Sequence, residues 1–138
     1  MLQTGLIIRK EVHPMQAIVA DNAAKTIGPY SPAVAVGEYI FVSGQLPTDP
    51  HTGSVVSNDI EEQARQVLEN LQSILAAAGS GMEKVVKTTV FIKDMYDFPK
   101  LNAVYAQYFR EPYPARSCVE VVRLPKDVLV EIEAIALK

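Results

Sequence analysis

Residues 58–79, NDIEEQARQVLENLQSILAAAG, constrain the fold more than any other stretch of the chain. Ile60, Ala64, Val67, Leu68, Leu71, Ile74, Leu75 and Ala78 recur at helical spacing, which predicts an amphipathic helix with one apolar stripe. Asn58 reads as its N-cap, with Glu61 three residues later completing a capping box. Asp59, Glu61 and Glu62 suit the positive end of the helix dipole. Gly79 reads as the stop, because the residue after a helix end often takes left-handed backbone. Such a helix needs something flat and apolar to cover. Residues 85–94, VVKTTVFIKD, supply it. Val86, Thr88, Val90 and Ile92 alternate with Lys87, Thr89, Phe91 and Lys93, as in a strand with one fully apolar side.

Short strands are expected at 15–20, 33–36 and 39–43, the last two forming a hairpin about Gly37-Glu38. QLPTDPHTGSVV (45–56) is a loop rich in Pro, Gly, Asp and Thr. A second helix starts near Asp97, carries Pro99 in its first turn and runs to about Phe109. Leu101, Val104, Tyr105, Tyr108 and Phe109 line its inner face. Two last strands, roughly 117–123 and 128–136, flank the turn Leu124-Pro125-Lys126-Asp127. The order βββ-α-β-α-ββ predicts a single α+β domain, one sheet with two helices packed on one face. The other face, to which Phe91, Val119, Val121, Ile132 and Ile135 are assigned, is too apolar to stay wet, so an oligomer is expected.

Composition removes several function classes. The 138 residues carry 13 Lys and Arg against 16 Asp and Glu, a net charge of −3, which argues against a nucleic-acid surface. One cysteine, Cys118, cannot form an internal disulfide, so nothing points to an oxidising compartment. No segment approaches the roughly 20 apolar residues of a membrane span. In residues 1–14 a short apolar stretch precedes Arg9 and Lys10, the reverse of a secretory signal. They read as a flexible extension, residues 15–138 as the domain, and the protein as cytoplasmic. His13 and His51 match no zinc spacing with a single Cys, and no Gly-rich phosphate loop occurs, so neither metal nor cofactor is expected.

GPYSPAV (28–34), VSGQLP (42–47), VVKTTVFIKDM (85–95), FPKLNAVYAQYF (98–109) and PARSCVEVVRLPKDVLVEIEAIA (114–136) closely resemble the RidA family of reactive intermediate deaminases, also called the YjgF family. The resemblance runs from about residue 15 to the end. It implies a chorismate-mutase-like fold with one mixed β-sheet, assembled as a homotrimer whose sheets face inward as a central β-barrel. A ligand cleft would lie at each subunit junction. The implied reaction is hydrolysis of enamine and imine intermediates (2-aminoacrylate, 2-iminopropanoate, 2-iminobutanoate) to 2-keto acids and ammonia, without a cofactor. The family's site residues fall on Arg116 and Cys118 of PARSC, Tyr30 of GPY, Ser43-Gly44 of SGQ, Asn102 at the start of the second helix, and Glu131 of EIEA. Two departures are visible: the N-terminal extension, and a short REPY link (110–113) that borders the cleft.

The chemistry asks little of the protein beyond positioning. A guanidinium fork at Arg116 can hold the carboxylate of a 2-imino acid through two parallel hydrogen bonds. The competing reading is a structural ion pair with Glu120 or Glu133. A protonated imine is already electrophilic, so water attacks directly, and Glu131 is the candidate acceptor or proton shuttle. Otherwise it is a solvated strand carboxylate. Cys118 reads as a small wall of the pocket rather than a nucleophile. Tyr30 either caps the cleft or anchors a turn. Ser43-Gly44 either offer a hydroxyl and an N–H to the ligand or form a tight strand exit. Asn102 is a ligand or interface hydrogen bonder, or a plain solvent-facing residue. Arg116, Cys118 and Glu120 share one strand face. Glu131 joins that face only if the last two strands pair as a hairpin in an odd-sum register, such as Glu120 with Glu131. A second class of function also fits the cleft: a non-catalytic trimer binding small carboxylates, acting as a regulator or holdase-like partner.

Overall fold

The computed structural model describes residues 14–21 and 26–138, so residues 1–13 of the expected extension lie outside the described residues. The first helix, α1 (Ile60–Ala77), buries the stripe read from the sequence, with Ala64, Val67, Leu68, Leu71 and Leu75 wholly shielded. Its N-cap is Asp59, one residue later than expected. The Asp59 carboxylate accepts the Glu62 N–H at 3.0 Å. An anion at the positive end of the dipole is the better cap there, and the shift lets the helix begin on the buried Ile60. The far end closes as expected. Gly79 takes φ +76°, its N–H reaches the Ala76 carbonyl, and the Ser80 N–H reaches the Leu75 carbonyl. Gln63 sits within the stripe, 1% exposed, because both ends of its amide are hydrogen-bonded: Nε2 donates to the Ser57 carbonyl and Oε1 accepts the Leu129 N–H.

Six strands form one mixed sheet. They are β1 (Met15–Ile18), β2 (Ala33–Val36), β3 (Tyr39–Gln45), β4 (Val85–Ile92), β5 (Ala115–Glu120) and β6 (Val130–Leu137), in the spatial order β1-β2-β3-β6-β4-β5. The pair β4–β5 is parallel and the other pairs are antiparallel. The second helix, α2 (Phe98–Tyr105), lies between the parallel strands in sequence, as a parallel connection requires. It ends four residues before the expected limit, and Phe109 is buried from the turn beyond it.

The terminal hairpin expected from the sequence does not form, because β4 stands between β5 and β6. The alternation VEIEAIAL explains the central place of β6. Val130, Ile132, Ala134 and Ala136 all need burial, and a strand flanked by both β3 and β4 obtains it. Two face assignments change with the register. Ile132 pairs with Val90 and lies in the core under the helices, not on the open face. Val86 leaves the apolar face because the β4–β6 register shifts between Val85 and Lys87, a bulge that turns it outward. The open face is nonetheless apolar: Phe41, Val119 and Leu137 are each at least 40% exposed there, next to the half-buried Phe91 and Ile135. Among the described residues, no helix is long and apolar enough to cross a membrane.

Candidate functional site

The candidate residues fall into two groups. The first is built on the edge strand β5. Arg116 pairs in register with Thr88, and Cys118 with Val90, so both lie on the helix-covered face. The guanidinium carbon of Arg116 stands 4.7 Å from the centroid of the Tyr105 ring and 5.5 Å from that of Phe98. Both rings come from α2, seven residues apart and hence on one helix face. Asn102, four residues after Phe98 and three before Tyr105, shares that face and is half-buried. The Tyr105 hydroxyl is hydrogen-bonded to Thr88 Oγ1 at 2.7 Å. Burial pushes the Tyr105 phenol above its usual range, against the pull of that hydrogen bond and of the Arg116 charge.

Arg116 makes no ion pair and no hydrogen bond among the described residues, so the pairings with Glu120 and Glu133 are not formed. None of its five N–H donors is taken up by a described residue of the chain. Burial raises the Cys118 thiol, with the Arg116 charge opposing. A raised thiol is protonated at neutral pH and a poor nucleophile, which favours the wall reading.

The second group surrounds a bulge in β3. Val42 pairs with Ala134 and Gln45 with Ile132, so one extra residue is accommodated at Ser43-Gly44. Ser43 spends its donors on the preceding loop: its N–H reaches the Pro32 carbonyl at 2.9 Å and its hydroxyl the Ser31 carbonyl at 2.6 Å. The hydroxyl therefore holds the segment that carries Tyr30, instead of standing ready to donate to a ligand. Tyr30 is half exposed, with its N–H on the Gly28 carbonyl. The Glu131 carboxylate lies against Gly44, where an added Cβ would come within 2.9 Å of the carboxyl carbon. Burial raises the Glu131 pKa, and the like charge of Glu133 raises it further. A cavity of about 370 Å³ opens beside this group, walled by Tyr30, Gly44, Gln45, His51, Gly53 and Lys126. Lys126 Nζ donates to the Gly53 carbonyl at 2.9 Å and closes one side.

Within one chain the two groups occupy opposite faces of the sheet. Thr88 pairs with both Arg116 and Ala134, whereas Phe91 pairs with both Val119 and Glu131. Cross-strand partners share a face, so Arg116 belongs with Ala134 and Glu131 with Val119. The structure thus gathers Arg116, Cys118 and Asn102 in one group and Tyr30, Ser43, Gly44 and Glu131 in another. Sequence reasoning missed Phe98, Tyr105 and Thr88 as neighbours of Arg116. The available signal was a tyrosine on a buried helix face, whose hydroxyl needs a partner.

Two expectations follow from the second group. Gly44→Ala should displace the Glu131 carboxylate, the movable end of a flexible side chain, and should therefore depress turnover far more than thermal stability. Side-by-side kinetics and thermal melts check this. If Glu131 must be ionised to accept a proton, its raised pKa places the acid limb of kcat/KM above the ordinary glutamate range. Glu133→Gln removes the like charge, so that limb should move to lower pH. A pH–rate profile on both proteins would detect it, and an unchanged or upward-moving limb would contradict it.

The family model described as Endoribonuclease L-PSP matches residues 20–138. A RutC family protein of Pyrococcus horikoshii is 58% identical over 123 residues, 89% of this chain and 98% of the relative. A 2-iminobutanoate/2-iminopropanoate deaminase of Salmonella typhimurium is 52% identical over 126 residues, covering 89% of this chain and 98% of the relative. Among solved structures, E. coli TdcF with bound serine superposes with a TM-score of 0.84 at 48% identity, covering 89% of this chain and 98% of that one.

Proposed function

The chain belongs to the endoribonuclease L-PSP family, the RidA/YjgF proteins, and from that premise we propose that it deaminates 2-imino acids by hydrolysis. The substrates are 2-iminopropanoate, its tautomer 2-aminoacrylate, and 2-iminobutanoate; the products are 2-keto acids and ammonia. The assembly is a cytoplasmic homotrimer with the open sheet faces turned inward as a barrel. In it, Arg116, Cys118 and Asn102 of one copy meet Tyr30, Ser43-Gly44 and Glu131 of the next. The carboxylate binds the Arg116 fork and Glu131 orients a water. Water adds to the C=N carbon, Glu131 relays a proton to nitrogen, and the resulting carbinolamine expels ammonia. No step calls for a cofactor.

The observation that carries this reading is the guanidinium of Arg116, which has no ion pair with any described residue of its own chain. The name of the Salmonella relative supports the reaction. The test is to generate imino acids in situ with an amino-acid oxidase and follow keto-acid release with and without the protein. Faster release is expected, it should survive chelation, and Cys118→Ala should retain most of it. No acceleration with any imino acid would overturn the reading. A carboxylate-binding regulator is the second reading, and the serine bound in E. coli TdcF favours it. Glu131→Gln separates the two, since it should lower turnover while sparing carboxylate binding.

A further inference from the structure

We propose that Tyr105 is a positioning residue that presents Arg116 to its ligand, with Phe98 completing an aromatic floor. This rests on reading Arg116 as the carboxylate holder. Three groups converge on one rung of the sheet. Thr88 is the in-register neighbour of Arg116, and its hydroxyl is hydrogen-bonded to the Tyr105 hydroxyl at 2.7 Å. The Tyr105 ring lies 4.7 Å from the guanidinium carbon and the Phe98 ring 5.5 Å from it. A half-buried arginine usually obtains its orientation from a carboxylate, which an incoming anion would then have to displace. Here the ring faces attract the cation without using any N–H donor. The fork is restrained before the ligand arrives, so less side-chain entropy is lost on binding. The Thr88 bond fixes the ring, and the ring's face, not its hydroxyl, acts on Arg116.

The test is a double-mutant cycle on the full chain, read by NMR titration with 2-oxobutanoate, a stable keto acid, a method that still reads affinities as weak as millimolar. Tyr105→Leu and Phe98→Leu should each weaken binding by roughly 3- to 30-fold, the range of a cation–π contact. Phe98 is half-buried and stands outside the buried core cluster, so its variant does not empty the core if Tyr105→Leu folds poorly. Tyr105→Phe keeps the π face and should recover most of what leucine loses. In an Arg116→Ala background the leucine substitutions should add little further loss. The proposal is overturned if both leucine variants bind like the parent. It is equally overturned if Tyr105→Phe is as weak as Tyr105→Leu, or if the losses persist in full without Arg116. Imine hydrolysis is assayed separately: the expected binding cycle without hydrolysis would sink the deaminase reading and leave the positioning role intact.

Discussion

Arg116→Ala is expected to abolish detectable imine hydrolysis, and Arg116→Lys to recover little of it. Losing a desolvated, charge-assisted contact typically costs about 2–5 kcal/mol, or roughly thirty-fold to several thousand-fold in rate. Lysine can still rest its ammonium over the Tyr105 ring, so the cation–π attraction survives the substitution. What it lacks is the planar pair of parallel donors that a carboxylate engages. The comparison therefore separates charge from fork geometry at one position. The measurement is keto-acid formation from freshly generated 2-iminopropanoate, on variants first shown to keep the parent's oligomeric state. Full activity in Arg116→Ala would remove the carboxylate anchor from the mechanism. Full activity in Arg116→Lys would remove only the bidentate argument.

Equal amounts of Arg116→Ala and Glu131→Ala subunits, each inactive alone, should regain activity when unfolded and refolded together. The two residues lie on opposite faces of the sheet in one chain, so a site that uses both must take them from different copies. If the assembly is the proposed cyclic trimer, random mixing makes about a quarter of the junctions combine an intact Arg116 with an intact Glu131 from the neighbour. Recovery should approach about a quarter of the parent activity, a large signal over two silent backgrounds. Simple mixing without unfolding should recover far less if the trimer exchanges slowly. Refolded mixtures as silent as their components would sink the junctional site, and either variant active alone would remove that residue from it.

Local periodicity made α1 readable. Its stripe from Ile60 to Leu75 and its stop at Gly79 lie as the spacing predicts, because helical burial repeats within a few residues and needs no distant partner. The N-cap moved by one residue, from Asn58 to Asp59, whose carboxylate accepts the Glu62 N–H. Residues 128–136 read as a strand, yet neither the place of β6 in the sheet nor the face of Ile132 was legible. Which strands flank Val130–Leu137 depends on pairings 38 to 98 residues distant in sequence.

The candidate site divides along the same line. Arg116, Cys118, Tyr30, Ser43, Gly44, Asn102 and Glu131 were selected from motifs, and the structure gathers them into two groups. The sequence left open whether Arg116 and Glu131 share a face. Tertiary structure decided that through strand order and register, where a slip of one residue sends a side chain to the other side of the sheet. The bulges at Val85–Lys87 and Ser43-Gly44 are further decisions of this kind: each shifts the strand register, one turning Val86 outward and the other seating Gly44 under Glu131. The rings beneath Arg116 are the last, since Phe98 and Tyr105 meet it only once α2 has crossed over the sheet and β5 has paired with β4. The sequence by itself determined which segments are helices and strands, because those signals are local, and its motifs named the candidate site residues. Which of these residues lie together was decided by long-range pairing, because a strand's neighbours, and so its faces, exist only in the assembled sheet.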